Sequence, residues 1–250
     1  YTTFTDTLGS DFGQGTLANV STTVVSGAVT MSSATMRDTF DDANYTSGPA
    51  TWTVTLGGYS AGGGYIFGSA DGLNTIHTNS VSISSGHWEF RWNFSGNNDD
   101  WCNRQSAGYC FDFRFLKVGS DYYSLQMFNS AADTRQLRLF KKVGGVETIL
   151  SNPAVTIAID TNYTFSVDRS TDGRMYVYLD GVFSSSSTDT AITGPGYVEI
   201  DCTLLTLANP DIVNYFDDIY AYQYASSGTY TSRIFDMAIS TPVWGPLTLG

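Results

Sequence analysis

Glu89, Arg91, Asp112, Arg114, Gln126 and Arg138 stand out in an otherwise weakly charged chain. Each falls on the polar side of a stretch whose other side is aromatic or aliphatic. If their strands are neighbours, they build a ladder of planar hydrogen-bonding groups that suits sugar hydroxyls, with Trp101, Tyr176 or Tyr178 as stacking surfaces. The same residues also read as a cross-strand salt-bridge array that keeps the face soluble, or as a face covered by the terminal segments or a neighbouring subunit. A second cluster, Asn97-Asn98-Asp99-Asp100-Trp101, sets four oxygen-bearing side chains beside an aromatic ring. It suits Ca²⁺ or a sugar. Alternatively it is a polar hairpin tip held by an adjacent Cys102–Cys110 bridge.

Other chemistries find little support. His77 and His87 are the only histidines. His87 shares a strand face with Glu89, but no Gly-x-Ser-x-Gly elbow accompanies it, so it reads as a hydrogen-bonding surface residue. No His or Cys pair completes a zinc tetrahedron. Cys102 and Cys110 flank a polar loop, and a disulfide closing it is expected to stabilise by roughly 2–3 kcal/mol; Cys202 then reads as a lone buried thiol. Gly62-Gly63-Gly64 lacks a following Lys-Ser/Thr, which excludes a phosphate loop. Asn19, Asn44, Asn93 and Asn162 open Asn-x-Ser/Thr glycosylation patterns, which matter only in a host that glycosylates.

The elements that position these residues are strands. The 250-residue chain has 3 Glu and 3 Lys, and it is rich in Thr, Ser, Gly, Tyr and Phe, which favours β structure with many turns. Lys plus Arg total 12 against 24 acids, a net charge of -12, which excludes a phosphate-tracking nucleic-acid binder and an anionic membrane surface as partners. No run approaches the length of apolar residues that spans a bilayer. The chain opens on Tyr1 rather than Met, which fits a processed secreted protein or an excised fragment, and Pro246-Leu247-Thr248-Leu249-Gly250 carries no closing signal.

Period-2 alternation recurs along the chain. Trp88, Phe90, Trp92 and Phe94 face one way and His87, Glu89, Arg91 and Asn93 the other. Phe111, Phe113 and Phe115 alternate with Asp112 and Arg114, and Leu137 and Leu139 with Gln136 and Arg138. Tyr163–Arg169 and Arg174–Asp180 behave likewise. Further strands are expected at 51–56, 122–128, 146–150, 197–207 and 213–224. Asp172-Gly173 and Gly144-Gly145 signal tight hairpins, and Asp180-Gly181 a bend. Many short strands with such turns predict an all-β, antiparallel two-sheet sandwich of the jelly-roll kind. Both chain ends look strand-like and separated from the middle. The expected organisation is a jelly-roll domain at 36–224, inserted in a small discontinuous unit of 1–35 plus 225–250, or with those ends pairing to a neighbouring subunit.

Within the middle segment, Asp38-Thr39-Phe40-Asp41-Asp42 followed by Trp52, the hairpin from Tyr163 to Gly181, and the last strand Phe216-Asp217-Asp218-Ile219-Tyr220-Ala221-Tyr222 occur in order. Over about three quarters of the chain this resembles the concanavalin A-like lectin/glucanase superfamily, in particular laminin-G-like and carbohydrate-binding jelly rolls. The ends resemble segments flanking such sandwiches in large secreted or surface-anchored prokaryotic proteins. The resemblance implies a structural Ca²⁺ between the first and last strands, with Asp217 as a ligand and Asp38, Asp41 or Asp42 adding oxygens; the alternative is solvated strand-end charges. It also brings in glucanases, whose catalytic strand carries Glu-x-Asp-x-x-Glu. Here Glu199-Ile200-Asp201 supplies two positions, no third Glu follows, and the pair falls late in the chain.

These readings converge on a secreted or cell-surface lectin-like module that binds polysaccharide or glycoprotein glycans without catalysing a reaction and is stabilised by calcium. A structural subunit is the rival, assembling with copies of itself into an extracellular filament or layer by β-strand addition. A glycoside hydrolase or polysaccharide lyase comes third.

Overall fold

The structure is a computed structural model and describes residues 16–18, 20–25, 28–48, 50–70, 72–95, 109–129, 135–204, 213–224 and 229–231. In chain order the strands are β1 (Thr16–Ala18), β2 (Val20–Val25), β3 (Ala28–Asp38), β4 (Trp52–Leu56), β5 (Tyr59–Gly62) and β6 (Tyr65–Gly68). The long strands β7 (Gly72–Ile83), β8 (Gly86–Ser95), β9 (Tyr109–Val118), β10 (Asp121–Asn129), β11 (Arg135–Val143) and β12 (Val146–Ser151) follow. The set closes with β13 (Asn162–Arg169), β14 (Arg174–Leu179), β15 (Val182–Thr188), β16 (Gly196–Leu204), β17 (Val213–Tyr224) and β18 (Thr229–Thr231). No helix occurs among the described residues, and so none is long and apolar enough to cross a membrane.

The chain divides into two compact units, Ser33–Tyr224 and Tyr1–Ser32 with Ala225–Gly250. In the terminal unit, β1 pairs antiparallel with β18, and β2 with the start of β3. The larger unit is an antiparallel sandwich. One sheet runs β12-β11-β10-β9-β16-β7-β4. The other runs β15-β14-β13-β8-β17 and on to β3, with the β5–β6 hairpin attached through β6 to β17.

Alternation explains the packing. Trp88, Phe90, Trp92 and Phe94 of β8 and Phe111, Phe113 and Phe115 of β9 are all buried in one core, with Met175 of β14. Phe90 is its hub: its ring stacks on Phe113 at 4.1 Å and on Phe165 at 5.3 Å, and meets Phe111 edge-on at 5.2 Å. Such pairs add to the burial of each ring.

The turns hold the register. Gly144-Gly145 joins β11 to β12 and Asp180-Gly181 joins β14 to β15, each with φ positive at both residues, the geometry of a two-residue hairpin turn. The sequence marks Asp180-Gly181 only as a bend. Asp172-Gly173 lies instead in a longer loop: the last register pair is Arg169–Met175, and Ser170 N–H donates to Arg174 C=O at 2.9 Å beyond it, which leaves Thr171, Asp172 and Gly173 at the tip. A side chain at Gly173 would meet Asp189 C=O at 2.5 Å.

Candidate functional site

The ladder divides between two faces. β8 pairs with β13 and β17, whereas β9 pairs with β10 and β16. The condition that the strands be neighbours holds for Asp112, Arg114, Gln126 and Arg138, and Glu89 and Arg91 do not join them. The two groups lie on opposite outer surfaces of the sandwich, because alternation places a residue outward without saying from which sheet.

On the outer face of the β8 sheet, register gives two rows: Tyr176–Asp168–His87–Tyr222 and Tyr178–Ser166–Glu89–Tyr220. His87 stacks on Tyr222 with centroids 4.9 Å apart, and its Nδ1 lies 2.7 Å from Asp168 and its Nε2 3.5 Å from Glu89. Burial pulls the imidazole pKa down, but the two carboxylates outweigh it and raise it to about 9. His87 is thus a clamped cation. Arg91 bridges Asp217 at 3.1 Å and Asp218.

On the outer face of the other sheet, a single row crosses five strands: Thr75 (β7), Asp201 (β16), Asp112 (β9), Gln126 (β10) and Arg138 (β11). A second row, Tyr197–Lys117–Tyr122–Lys142–Glu147, runs beside it. Between them opens a pocket of about 430 Å³, whose walls include Tyr109, Tyr122, Gln126, Arg138, Phe140 and Ile149. Phe140, which breaks the polar alternation of β11, adds its ring to those of Tyr109 and Tyr122 on this face.

Electrostatics at its floor are tight. Arg114 pairs with Asp112 at 2.9 Å, with Glu199 and with Asp201, and lies 4.5 Å from the centre of the Tyr122 ring. Lys117 also pairs with Glu199. Burial, helped by Asp112, pushes Asp201 up to about 6 against the pull of Arg114. Burial likewise raises Asp112, and the Tyr122 hydroxyl to about 12. Asp112, Glu199 and Asp201 are 1%, 4% and 2% exposed, so the carboxylates lie beneath the pocket surface. The polar side of the 197–207 alternation shows Glu199 and Asp201 in the sequence; their adjacency to Asp112 depends on β16 lying beside β9.

The Asp-rich opening folds into a turn on itself. Asp38 Oδ1 accepts from Phe40 N–H at 3.1 Å and Oδ2 from Trp52 Nε1 at 2.9 Å. Each of its oxygens thus accepts one hydrogen bond in a buried setting. Asp41 accepts from Thr39 Oγ1, and Asp42 from Asn44 N–H. Asp217 is pushed up to about 6 by burial first and then by the charges of Asp218 and Asp41, against Arg91 and the Asp218 N–H. No three His, Cys, Asp or Glu side chains among the described residues form a metal cluster by themselves, so a Ca²⁺ here would draw on backbone carbonyls as well.

Asn19, Asp99, Asp100, Trp101 and Cys102 lie outside the described residues. Cys110 is disulfide-bonded, and Cys202 carries a free thiol whose pKa burial pushes up to about 12. Asn44 sits in the opening turn with its Oδ1 accepting from Thr46 N–H and Oγ1, while Asn93 donates to Asn162 at 2.9 Å across the β8–β13 ladder.

No protein-family model matches this sequence, and no curated protein matches it. Solved structures do. The chain is similar to a β-glucanase of Bacillus licheniformis at TM-score 0.54 and 13% identity, over 77% of this chain and 99% of that one. It is similar to the carbohydrate-binding module CBM66 from Bacillus subtilis at TM-score 0.52 and 16% identity, over 67% and 92% of the two chains. The CBM2 module of the evolved Dit of Lactobacillus casei BL23 phage J-1 matches at TM-score 0.50 and 13% identity, over 78% and 99%. The fold is therefore the concanavalin A-like jelly roll. Its structural neighbours comprise binding modules and glycoside hydrolases.

Proposed function

We propose that this protein is a secreted or cell-surface carbohydrate-binding module that does not break glycosidic bonds, with its glycan site in the pocket lined by Tyr109, Tyr122, Gln126, Arg138 and Phe140. The single observation that supports it most is the five-strand row Thr75–Asp201–Asp112–Gln126–Arg138 beneath aromatic walls, since planar polar groups beside rings match the hydroxyls and CH faces of a sugar. Glycoside hydrolysis needs two carboxyl groups flanking the scissile bond. Here Asp112, Glu199 and Asp201 are buried and committed to Arg114 and Lys117, which favours binding over catalysis. Affinity electrophoresis on a panel of polysaccharides, with reducing-sugar release followed in parallel, tests both parts. Retardation without sugar release is expected; sugar release at turnover rates overturns the binding-only reading. Calcium belongs to the same proposal, held by Asp217 with Asp41 and Asp42.

A second reading, assembly with copies of itself into an extracellular filament, draws on the sandwich edges. The edge strands β12 and β15 expose Val146, Ile149, Val182 and Phe183, and neither carries the Pro or Lys that blunts an open edge. Negative-stain microscopy of the native material would show fibres or dispersed particles.

A further inference from the structure

Arg138 differs from the other cations of the pocket. Arg114 is matched by Asp112, Glu199 and Asp201, and Lys142 Nζ lies 3.4 Å from Glu147. Arg138 has no carboxylate partner among the described residues: its Nη2 donates to the neutral amide of Gln136 at 3.2 Å, and its Nε is buried without an acceptor. Its guanidinium carbon stands 3.2 Å from the centre of the Phe128 ring. Burial lowers its pKa, with no neighbouring anion to offset the effect.

A partly desolvated guanidinium with an unmet donor is unfavourable until an acceptor arrives. Its planar fork fits a carboxylate or a sulfate better than a hydroxyl. The rest of the pocket does not repel such a group. The charges of Asp112, Glu199 and Asp201 are absorbed by Arg114 and Lys117, and burial favours a proton on the Asp112–Asp201 pair. Lys142 lies on the same strand as Arg138, four residues on, and faces the same pocket. Lys142 is offset there by Glu147, which lines the pocket too, so Arg138 is the pocket cation left without a carboxylate partner among the described residues.

We infer that the pocket selects anionic sugars, with the carboxylate of a uronic acid or the sulfate ester of a sulfated glycan bound to Arg138. The inference rests on the glycan-site reading above and adds the charge class of the ligand.

Isothermal titration with polygalacturonate, dextran sulfate, unsubstituted dextran and a neutral β-glucan, on the intact chain and on R138Q and R138K, tests it. At low salt, one anionic polymer is expected to bind at least about tenfold more tightly than either neutral one, and high salt should erode that preference. R138Q should abolish the preference without lowering the melting temperature, since it removes a partly desolvated guanidinium whose Nε has no acceptor. R138K should keep the charge but lose the fork, and so retain only part of the preference. Which anion wins separates uronate from sulfate ester. Undiminished anion binding by R138Q, or binding of the neutral polymers alone, overturns the inference; the second result leaves the glycan site standing. Binding of none of the four defeats both readings. Should R138Q fail to fold, mass-spectrometric mapping of phenylglyoxal modification decides, because the anionic but not the neutral polymers should protect Arg138.

Discussion

Asp112 on β9 and Asp201 on β16 are direct register partners, two buried carboxyl groups facing each other across a strand pair with one guanidinium, Arg114, serving both. Two like charges so placed are tolerated because Arg114 engages each, and because burial makes a shared proton accessible near neutral pH.

Removing Arg114 should therefore be among the most damaging single changes on this face. Arg114→Leu leaves Asp112, Glu199 and Asp201 buried with only Lys117 as counter-charge, and should cost about 3–5 kcal/mol. Urea denaturation of the variant checks this. A loss under 1 kcal/mol would show that the carboxyl groups protonate at little cost. Asp201→Asn in the same background should recover part of the loss, because it deletes one of the stranded charges.

Stability should fall as pH rises from about 4 to 9. Asp201 and Asp217 are pushed up to about 6 in the folded protein, above the 3.8 of an ordinary aspartate, so their ionisation in the folded state is unfavourable. That penalty is absent below pH 3.8 and fully present above 6. His87, raised from 6.5 to about 9, contributes in the opposite charge sense but in the same pH direction: its stabilisation is complete below 6.5 and lost through 9. Differential scanning calorimetry against pH should show two falling limbs. His87→Gln should flatten the upper one, worth about 3 kcal/mol, and Asp201→Asn the lower.

Calcium, if held by Asp217 with Asp41 and Asp42, should raise the melting temperature. At a hundredfold excess over Kd, one site contributes about 2.7 kcal/mol, which for a unit of this size is a shift of about 5–10 °C. EGTA should reverse the shift, and Asp217→Asn should remove its calcium dependence. A midpoint indifferent to EGTA would assign these acids to the Arg91 network and the opening turn alone.

Phe90 is completely buried and touches rings from both sheets, Phe165 and Phe216 on its own and Phe111 and Phe113 on the other. Phe90→Ala should cost about 3–5 kcal/mol, through lost transfer energy and an incompletely closed cavity. Chemical denaturation measures it; a cost near that of an ordinary surface substitution would mean that the two layers do not share one core.

Much of the sandwich is legible in the sequence. Alternation at Trp88–Phe94, Phe111–Phe115 and Met175–Leu179 assigns those strands and their buried sides, because side chains on a strand repeat every two residues and apolar ones must leave water. β7 escapes this reading: Asn74, Thr75 and Thr78 lie among its buried residues, so its polar and buried positions do not alternate. Asp180-Gly181 and Gly144-Gly145 carry their hairpins for an equally local reason, the positive φ that glycine and aspartate tolerate.

What the sequence by itself determined is which residues face inward, which face outward and where the chain reverses. The tertiary structure decided which outward residues meet. Period-2 patterning is blind to strand order, so Glu89 and Arg91 look like companions of Asp112 and Arg114 although the core separates them, while Asp201 looks unrelated to Asp112 although it stands opposite. Strand adjacency is set by contacts between segments far apart along the chain, through a core that accepts many apolar sequences. The paired carboxyls over Arg114 and the unmatched guanidinium of Arg138 therefore exist only once β16, β9, β10 and β11 lie side by side.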